Sequence, residues 1–215
     1  RIVFHTDAVQ AVGKVPVDVK KAGVDMLSLS GHKIHAPKGV AALYVRKGTK
    51  FSPFMIGGHQ ERGRRGGTEN AASIVGLGVA SEMAAKHLSD MHTRVKAMRD
   101  KLEDGILNSI PNAMRNGCKE PRLPNTSSVS FEFVEGESIL LALDERGICV
   151  SAGSACSSRS VEPSHVLMAM GLTELEARGA IRFSFGRYNS DEDVEILLKV
   201  LPAVVESLRS MGGQK

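Results

Sequence analysis

A stretch of helix-forming residues from Glu69 to about Ile110 divides this chain and limits what it can fold into. Apolar residues recur there at Ile74, Leu77, Met83, Leu88, Met91, Val95, Met98 and Leu102, the spacing of one or two long helices with a buried stripe. Ahead of it, apolar runs at Ile2 to Phe4, Met26 to Ser30 and Val40 to Val45 read as strands, with Val19 to Gly23 as a short amphipathic connection between the first two. Strand, connection and strand make a β-α-β pattern, which predicts a parallel or mixed sheet with functional side chains at the strand ends. A Gly- and Arg-rich loop from Gly57 to Gly67 follows, and Thr68 after it is the expected N-cap of the first long helix.

Beyond Pro111 the pattern becomes that of an α+β module. Val129, Phe131 and Phe133 alternate as a strand, Glu137 to Arg146 reads as an apolar-faced helix closed by Gly147, and Ile148-Cys149-Val150 reads as a short strand. Pro163 fits the first turn of a helix ending at Gly171, and Thr173 with Glu176 makes a capping box for the next. Ile181, Phe183 and Phe185 alternate with Arg182 and Ser184, which predicts Arg182 on the polar face of a strand. A final helix starts near Asp191, and Pro202 is expected to kink or split it. The fold class is α/β in two parts, 1–90 as a sheet-bearing domain and 91–215 as an α+β domain.

Composition removes several classes of function. Lys plus Arg number 28 against 24 Asp plus Glu, a net charge of +4 with no dense basic run, so no nucleic-acid partner is expected. No apolar run nears the roughly 20 residues of a membrane span, and no charged-then-apolar leader is seen. The three cysteines, Cys118, Cys149 and Cys156, have no C-x-x-C spacing, which argues against a disulfide framework or a zinc site and for a cytoplasmic, reducing setting. Cys149, between Ile148 and Val150, reads as a small buried hydrophobe, and Cys118 as incidental. Cys156 lies instead in Ser151-Ala152-Gly153-Ser154-Ala155-Cys156-Ser157-Ser158, a small polar stretch in which a loop could swing and a thiolate be exposed.

Two constellations carry chemistry. Asp7 with Gln10 stands 26 residues ahead of Lys33 in Ser30-Gly31-His32-Lys33, one β-α-β step, so the two groups can share a sheet edge. A lysine at a strand end, preceded by Ser and His able to bind phosphate, suits a Schiff base with pyridoxal phosphate, and Asp7 would keep the pyridine nitrogen protonated. The plainer alternative, Asp7 capping a turn and Lys33 a solvated lysine, stays open on these residues alone. Arg182 is either a surface ion pair or a planar fork for a carboxylate, and its place between two phenylalanines favours a buried anion site. Arg62, Arg64 and Arg65 read equally as a solvated or an interface cluster.

The strings His5-Thr6-Asp7-Ala8-Val9-Gln10, Ser30-Gly31-His32-Lys33, Gly57-Gly58-His59-Gln60-Glu61-Arg62-Gly63, Ser154-Ala155-Cys156-Ser157, Glu162-Pro163-Ser164-His165 and Ile181-Arg182-Phe183-Ser184 resemble class I cysteine desulfurases, in the family's order across essentially the whole chain. His35-Ala36-Pro37-Lys38-Gly39 and Arg187-Tyr188-Asn189 resemble the nitrogen-fixation (NifS-like) branch more than the housekeeping one. The resemblance implies a fold-type-I pyridoxal-phosphate transferase of the aspartate-aminotransferase type, with 1–90 as the C-terminal part of the large domain and 91–215 as the small domain carrying the cysteine loop. It makes Lys33 the Schiff-base lysine, Asp7 the ring-nitrogen partner and Gln10 a donor to the ring hydroxyl. Ser30 and His32 would bind phosphate, and Thr68 would reach the phosphate of the neighbouring subunit in a homodimer with shared sites. Arg182 would bind the carboxylate of L-cysteine, and Cys156 would take its sulfur as a persulfide, leaving L-alanine.

No resident metal is implied, although Cys156 would transiently share an iron–sulfur cluster with a scaffold protein that accepts the sulfur. Two other readings remain, a different fold-type-I enzyme such as a selenocysteine lyase or an aminotransferase, and an inactive piece that only dimerises or docks. The Ser-rich loop around Cys156 separates the first, since an aminotransferase has no use for it. The second arises because the chain opens at Arg1 in mid-strand, so an N-terminal truncation is expected and little activity from these residues alone.

Overall fold

The computed structural model describes residues 2–152 and 163–212. They form two compact units that part between Ser89 and Asp90.

In the first unit, β1 (His5–Asp7), β2 (Met26–Ser30) and β3 (Ala41–Val45) lie in that order in one mixed sheet. β1 runs parallel to β2 with Asp7 opposite Ser28, and β2 runs antiparallel to β3 with Ser30 opposite Ala41. Ile2 to Phe4, expected as strand, is exposed coil: the Phe4 N–H goes to the carboxylate of buried Asp25 (3.0 Å) instead of to a strand partner. The expected helical connection is a series of turns. Asp18 Oδ1 accepts from the N–H groups of Lys20 and Lys21, a local closure that competes with helix. Ala8, Val24 and Leu27 form the small core beneath the sheet.

A single turn, α1 (Gln60–Gly63), precedes α2 (Ala71–Lys86). Asn70, not Thr68, caps α2, its Oδ1 accepting from the Ser73 N–H at 3.2 Å. The stripe read from the sequence is only half realised here, because Ala80 is buried with Leu77 and Ala84 packed beside it while Ile74, Val75, Val79 and Met83 are exposed.

After α3 (Leu88–Asp90) and a π-helical turn over Met91–Val95 comes α4 (Lys96–Ser109). The second unit is built on an antiparallel sheet of β4 (Ala113–Arg115), β5 (Thr126–Phe131), β6 (Ser151–Ala152) and β7 (Ala180–Ser184), in the order β4-β5-β7-β6. Its helices are α5 (Gly136–Asp144), α6 (His165–Ala169), α7 (Glu174–Arg178) and α8 (Asp191–Gly212). Val129, Phe131, Ile181 and Phe183 project from one sheet face into a core completed by Met98, Leu102 and Ile106 of α4, Ile139 and Leu143 of α5, and Leu201 and Val205 of α8. Each such side chain contributes roughly 1.5–3 kcal/mol by leaving water.

Three expectations are corrected. Phe133 lies beyond β5 in the left-handed region (φ 63°), 76% exposed, because the chain must turn into α5. Ile148 to Val150 is not strand: pairing with β7 begins at Ser151. Of the kink or split expected at Pro202, the split does not occur: α8 runs through as one element, with Val194, Leu197, Leu201, Val204 and Val205 holding both sides of the missing N–H to one core. The capping box is as read: Thr173 Oγ1 accepts from the Glu176 N–H, and Glu176 Oε2 accepts from the Thr173 N–H at 2.7 Å.

A charged cluster ties α4 to the sheet. Glu103, 2% exposed, accepts from Ser127 Oγ (2.6 Å) and Arg122 (2.7 Å), with Arg115 at 3.4 Å. Burial pushes its carboxyl up, but the Ser127 and Arg122 hydrogen bonds and the charges of Arg122 and Arg115 outweigh that and hold it below the usual glutamate range. The unfolded chain therefore takes up this proton first as pH falls. The stabilisation is complete above about pH 4.3 and fades below it. In urea unfolding, the midpoint should fall as pH is lowered from about 6 to about 3.5, and Glu103→Gln should cost about 3 kcal/mol at neutral pH while flattening that fall.

Candidate active site

The parallel register of β1 and β2 puts both strand ends on one edge of the first unit's sheet. Asp7 closes β1. Its Oδ1 accepts from the Val9 N–H at 2.8 Å, so it does cap a turn, and it is exposed with Oδ2 able to accept another donor. The chain then coils through a helical turn, with Ala8 C=O accepting from Val12 and Ala11 C=O from Lys14 and Val15. Gln10 on this turn is exposed, and its Oε1 accepts from the Nζ of Lys14, a lysine only 7% exposed.

β2 ends at Ser30, half-buried, and passes into a 3-10 turn over Gly31–Ile34 that His35 closes in the left-handed region (φ 70°). Ile34 points into a small core with Ala36, Val40 and Ala80, which leaves His32 and Lys33 exposed. Gly31 is needed because a Cβ there would sit 2.9 Å from the Val40 carbonyl oxygen and 3.0 Å from the Ala36 Cβ. Gly13, at φ +76°, brings the turn after β1 onto this second turn: a Cβ on it would stand 2.9 Å from Ile34 Cγ2. So Asp7, Gln10, Ser30, His32 and Lys33 gather along one edge. That edge offers an accessible amine, a carboxylate, an amide, a hydroxyl and an imidazole.

Thr68 is exposed in the loop before α2. Arg62, Arg64 and Arg65 are exposed as well, in a loop held by the Gly66 N–H to the Met55 carbonyl (2.7 Å) and the Gly67 N–H to Gln60 Oε1 (3.2 Å).

In the second unit, Arg182 stands in mid-strand on β7, half-buried, between Ser128 of β5 and Ser151 of β6 in register. Register sets it on the face opposite Ile181 and Phe183, as the alternation predicts. Asn116 organises the same face by donating to Ser128 Oγ (3.1 Å) and Ser130 Oγ (3.0 Å). The following loop is shaped by Asn189, whose Oδ1 accepts from Gly186 N–H, and is held by Arg94, which donates to the Arg187 and Asn189 carbonyls. That role of Arg94 is not legible in the sequence, since these two carbonyl partners lie more than 90 positions away.

Cys156 lies outside the described residues. Cys149 is corrected: it is exposed and lines a hollow of about 400 Å³ with Arg146, Asn189 and Asp193, because the segment holding it is not part of the sheet. Among the described residues no cluster of His, Cys, Asp and Glu could hold a metal ion, and no helix is long and apolar enough to cross a membrane.

Comparison with known proteins matches this architecture. The Aminotransferase class-V profile matches residues 1–197. A cysteine desulfurase of Gluconacetobacter diazotrophicus is 58% identical over 209 residues, 97% of this chain and 52% of that protein. The cysteine desulfurase NifS of Azotobacter vinelandii is 55% identical over 210 residues, 98% and 52% of the two chains. Among solved structures, a NifS-like protein superposes with a TM-score of 0.87 at 40% identity, over 96% of this chain and 53% of its own. A NifS-like protein from Rickettsia africae gives 0.86 at 34% identity, over 95% and 54%. The chain spans about half the length of the curated relatives it matches.

The contact at Gly31 is testable without a ligand. Gly31→Ala should lower the unfolding free energy in urea by about 1–3 kcal/mol, because the Val40 backbone cannot give way as a side chain would.

Proposed function

The chain belongs to the Aminotransferase class-V family, and we propose from that premise that its residues serve a pyridoxal-phosphate-dependent cysteine desulfurase that converts L-cysteine to L-alanine and passes the sulfur on as a persulfide. The observation that carries this reading is the shared edge, where the strand register and the Gly13 contact with Ile34 gather Asp7, Gln10 and the Lys33 turn. The groups there suit pyridoxal phosphate chemically. Lys33 has an exposed amine for the aldehyde carbon, Asp7 a carboxylate oxygen for the ring nitrogen, and Gln10 an amide for the ring hydroxyl. Ser30 and His32 supply donors for the phosphate, and Thr68 is assigned to the phosphate of a neighbouring subunit. When bound, the cofactor supplies an electron sink that stabilises negative charge at the substrate Cα.

The chain's own groups do the rest. Asp7 keeps the proton on the ring nitrogen, and the freed amine of Lys33 moves the proton at the substrate Cα. Arg182 fixes the substrate carboxylate with its planar fork. The thiolate of Cys156 attacks the substrate sulfur: an S–S bond forms, the Cβ–S bond breaks, and its electron pair stays with the carbon skeleton that leaves as alanine. The persulfide then passes to a thiol acceptor, assigned as an iron–sulfur scaffold protein that transiently shares a cluster with Cys156. A homodimer, a cytoplasmic setting and service to nitrogenase assembly complete the proposal, the last in keeping with the name NifS of the Azotobacter vinelandii relative.

Reconstitution with pyridoxal phosphate tests it. The full protein carrying these residues should acquire a visible absorbance that borohydride fixes covalently at Lys33, and Lys33→Ala should acquire none. Cys156→Ala should release alanine only at background. Alanine formation by Cys156→Ala at the parental rate would sink the assignment.

A further inference from the structure

The turn after β1 holds a buried cation that the proposed chemistry does not use. Lys14 is 7% exposed, and its ammonium donates to Gln10 Oε1 at 2.5 Å. An ammonium has three donors and no acceptor, so it can bond only to the oxygen end of a side-chain amide. That settles an orientation otherwise ambiguous, because the two ends of an amide are nearly the same shape.

The contact is not an incidental surface bond. A buried ammonium is costly unless its donors meet acceptors, and Gln10 Oε1 is one that the folded turn gives Lys14. Gln10 and Lys14 are four residues apart on a coil held by the Ala8 and Ala11 carbonyls, which stacks their side chains on one face. Gly13, next to Lys14, packs that coil on Ile34, the residue after Lys33. The end of Gln10 held by buried Lys14 is thus its carbonyl. The other end is the NH₂ group, on a residue that is exposed as a whole.

We propose that Lys14 is a positioning residue: its buried ammonium holds the carbonyl oxygen of Gln10 and commits the amide to present N–H donors, never an acceptor, at the edge shared by Asp7 and Lys33. The ligand atom this edge selects beside Gln10 is an electron-rich oxygen such as a deprotonated ring hydroxyl. The inference rests on the cofactor reading above and deepens it, since it assigns how the ring-hydroxyl donor is set.

The test uses the full protein carrying these residues, with pyridoxal phosphate as the probe. Lys14→Met keeps length and burial but frees the amide to rotate. It should weaken cofactor binding about tenfold, equivalent to ~1.4 kcal/mol, and shift the visible band of the bound cofactor. Lys14→Arg, which retains a cationic donor, should restore most of both. Gln10→Glu discriminates most sharply, because it strengthens the contact with Lys14 while placing an acceptor at the outer end. It should bind the cofactor at least as poorly as Lys14→Met, with a thermal midpoint equal to or above the parent's. In the cofactor-free protein, Lys14→Met should also lower the ¹⁵N order parameter of the Gln10 side-chain amide. Parental affinity and spectrum in Lys14→Met or in Gln10→Glu would overturn the proposal while leaving the cofactor reading intact. A parent protein that binds no pyridoxal phosphate would overturn the cofactor reading, and the amide order parameter would still report the Lys14 clamp by itself.

Discussion

Ile34 is the contact on which the candidate edge depends. It is the one residue of the 3-10 turn whose side chain goes inward, and it meets Gly13 from the turn after β1 while packing with Val40 and Ala80. A buried isoleucine is stiff at χ1 and close-packed, so the turn that bears His32 and Lys33 cannot slide relative to the turn that bears Gln10. The two glycines are the complement of that stiffness. Gly31 lets the Lys33 turn lie against the Val40 backbone, and Gly13 lets the Gln10 turn lie against Ile34. The polar groups of the candidate edge are thus registered by an apolar contact that none of them makes.

The second unit separates its tasks by sheet face. One face is apolar and covered by α4, α5 and α8, while the other carries Arg182 beside Ser128 and Ser151, with Asn116 bonding the neighbouring serines. Small hydroxyl residues stand opposite the guanidinium-bearing position on both neighbouring strands. The Glu103 cluster works at the other end of the scale. It offsets the cost of a buried carboxylate with two arginines and a hydroxyl, and in return links α4 to β4, β5 and the segment between them.

Where reading the residues succeeded, the signal was local. The alternation around Arg182, the Thr173 and Glu176 box, and the apolar run from Met26 to Ser30 each depend on backbone geometry over a few positions, and each appears in the structure as read. Where it failed, a distant partner decided. Asp25 took the Phe4 N–H that a strand at Ile2 to Phe4 would have needed, and the core on both sides of Pro202 carried α8 through a residue that usually interrupts a helix. Asn70 displaced Thr68 as the cap because its side chain, two positions further on, meets the free Ser73 N–H.

The sequence by itself determined the inventory of the candidate edge: an amine, a carboxylate and an amide, at a spacing that parallel strand pairing could bring together. It also determined which strand face would hold Arg182, because side-chain direction alternates with period two whatever the surroundings. Only the tertiary structure decided which groups are buried. Lys14 went inside, with its ammonium on Gln10 Oε1, while Cys149 stayed outside although its neighbours are apolar. Burial is set by contacts between segments far apart in the chain, and no local pattern encodes which of two similar residues will meet such a segment.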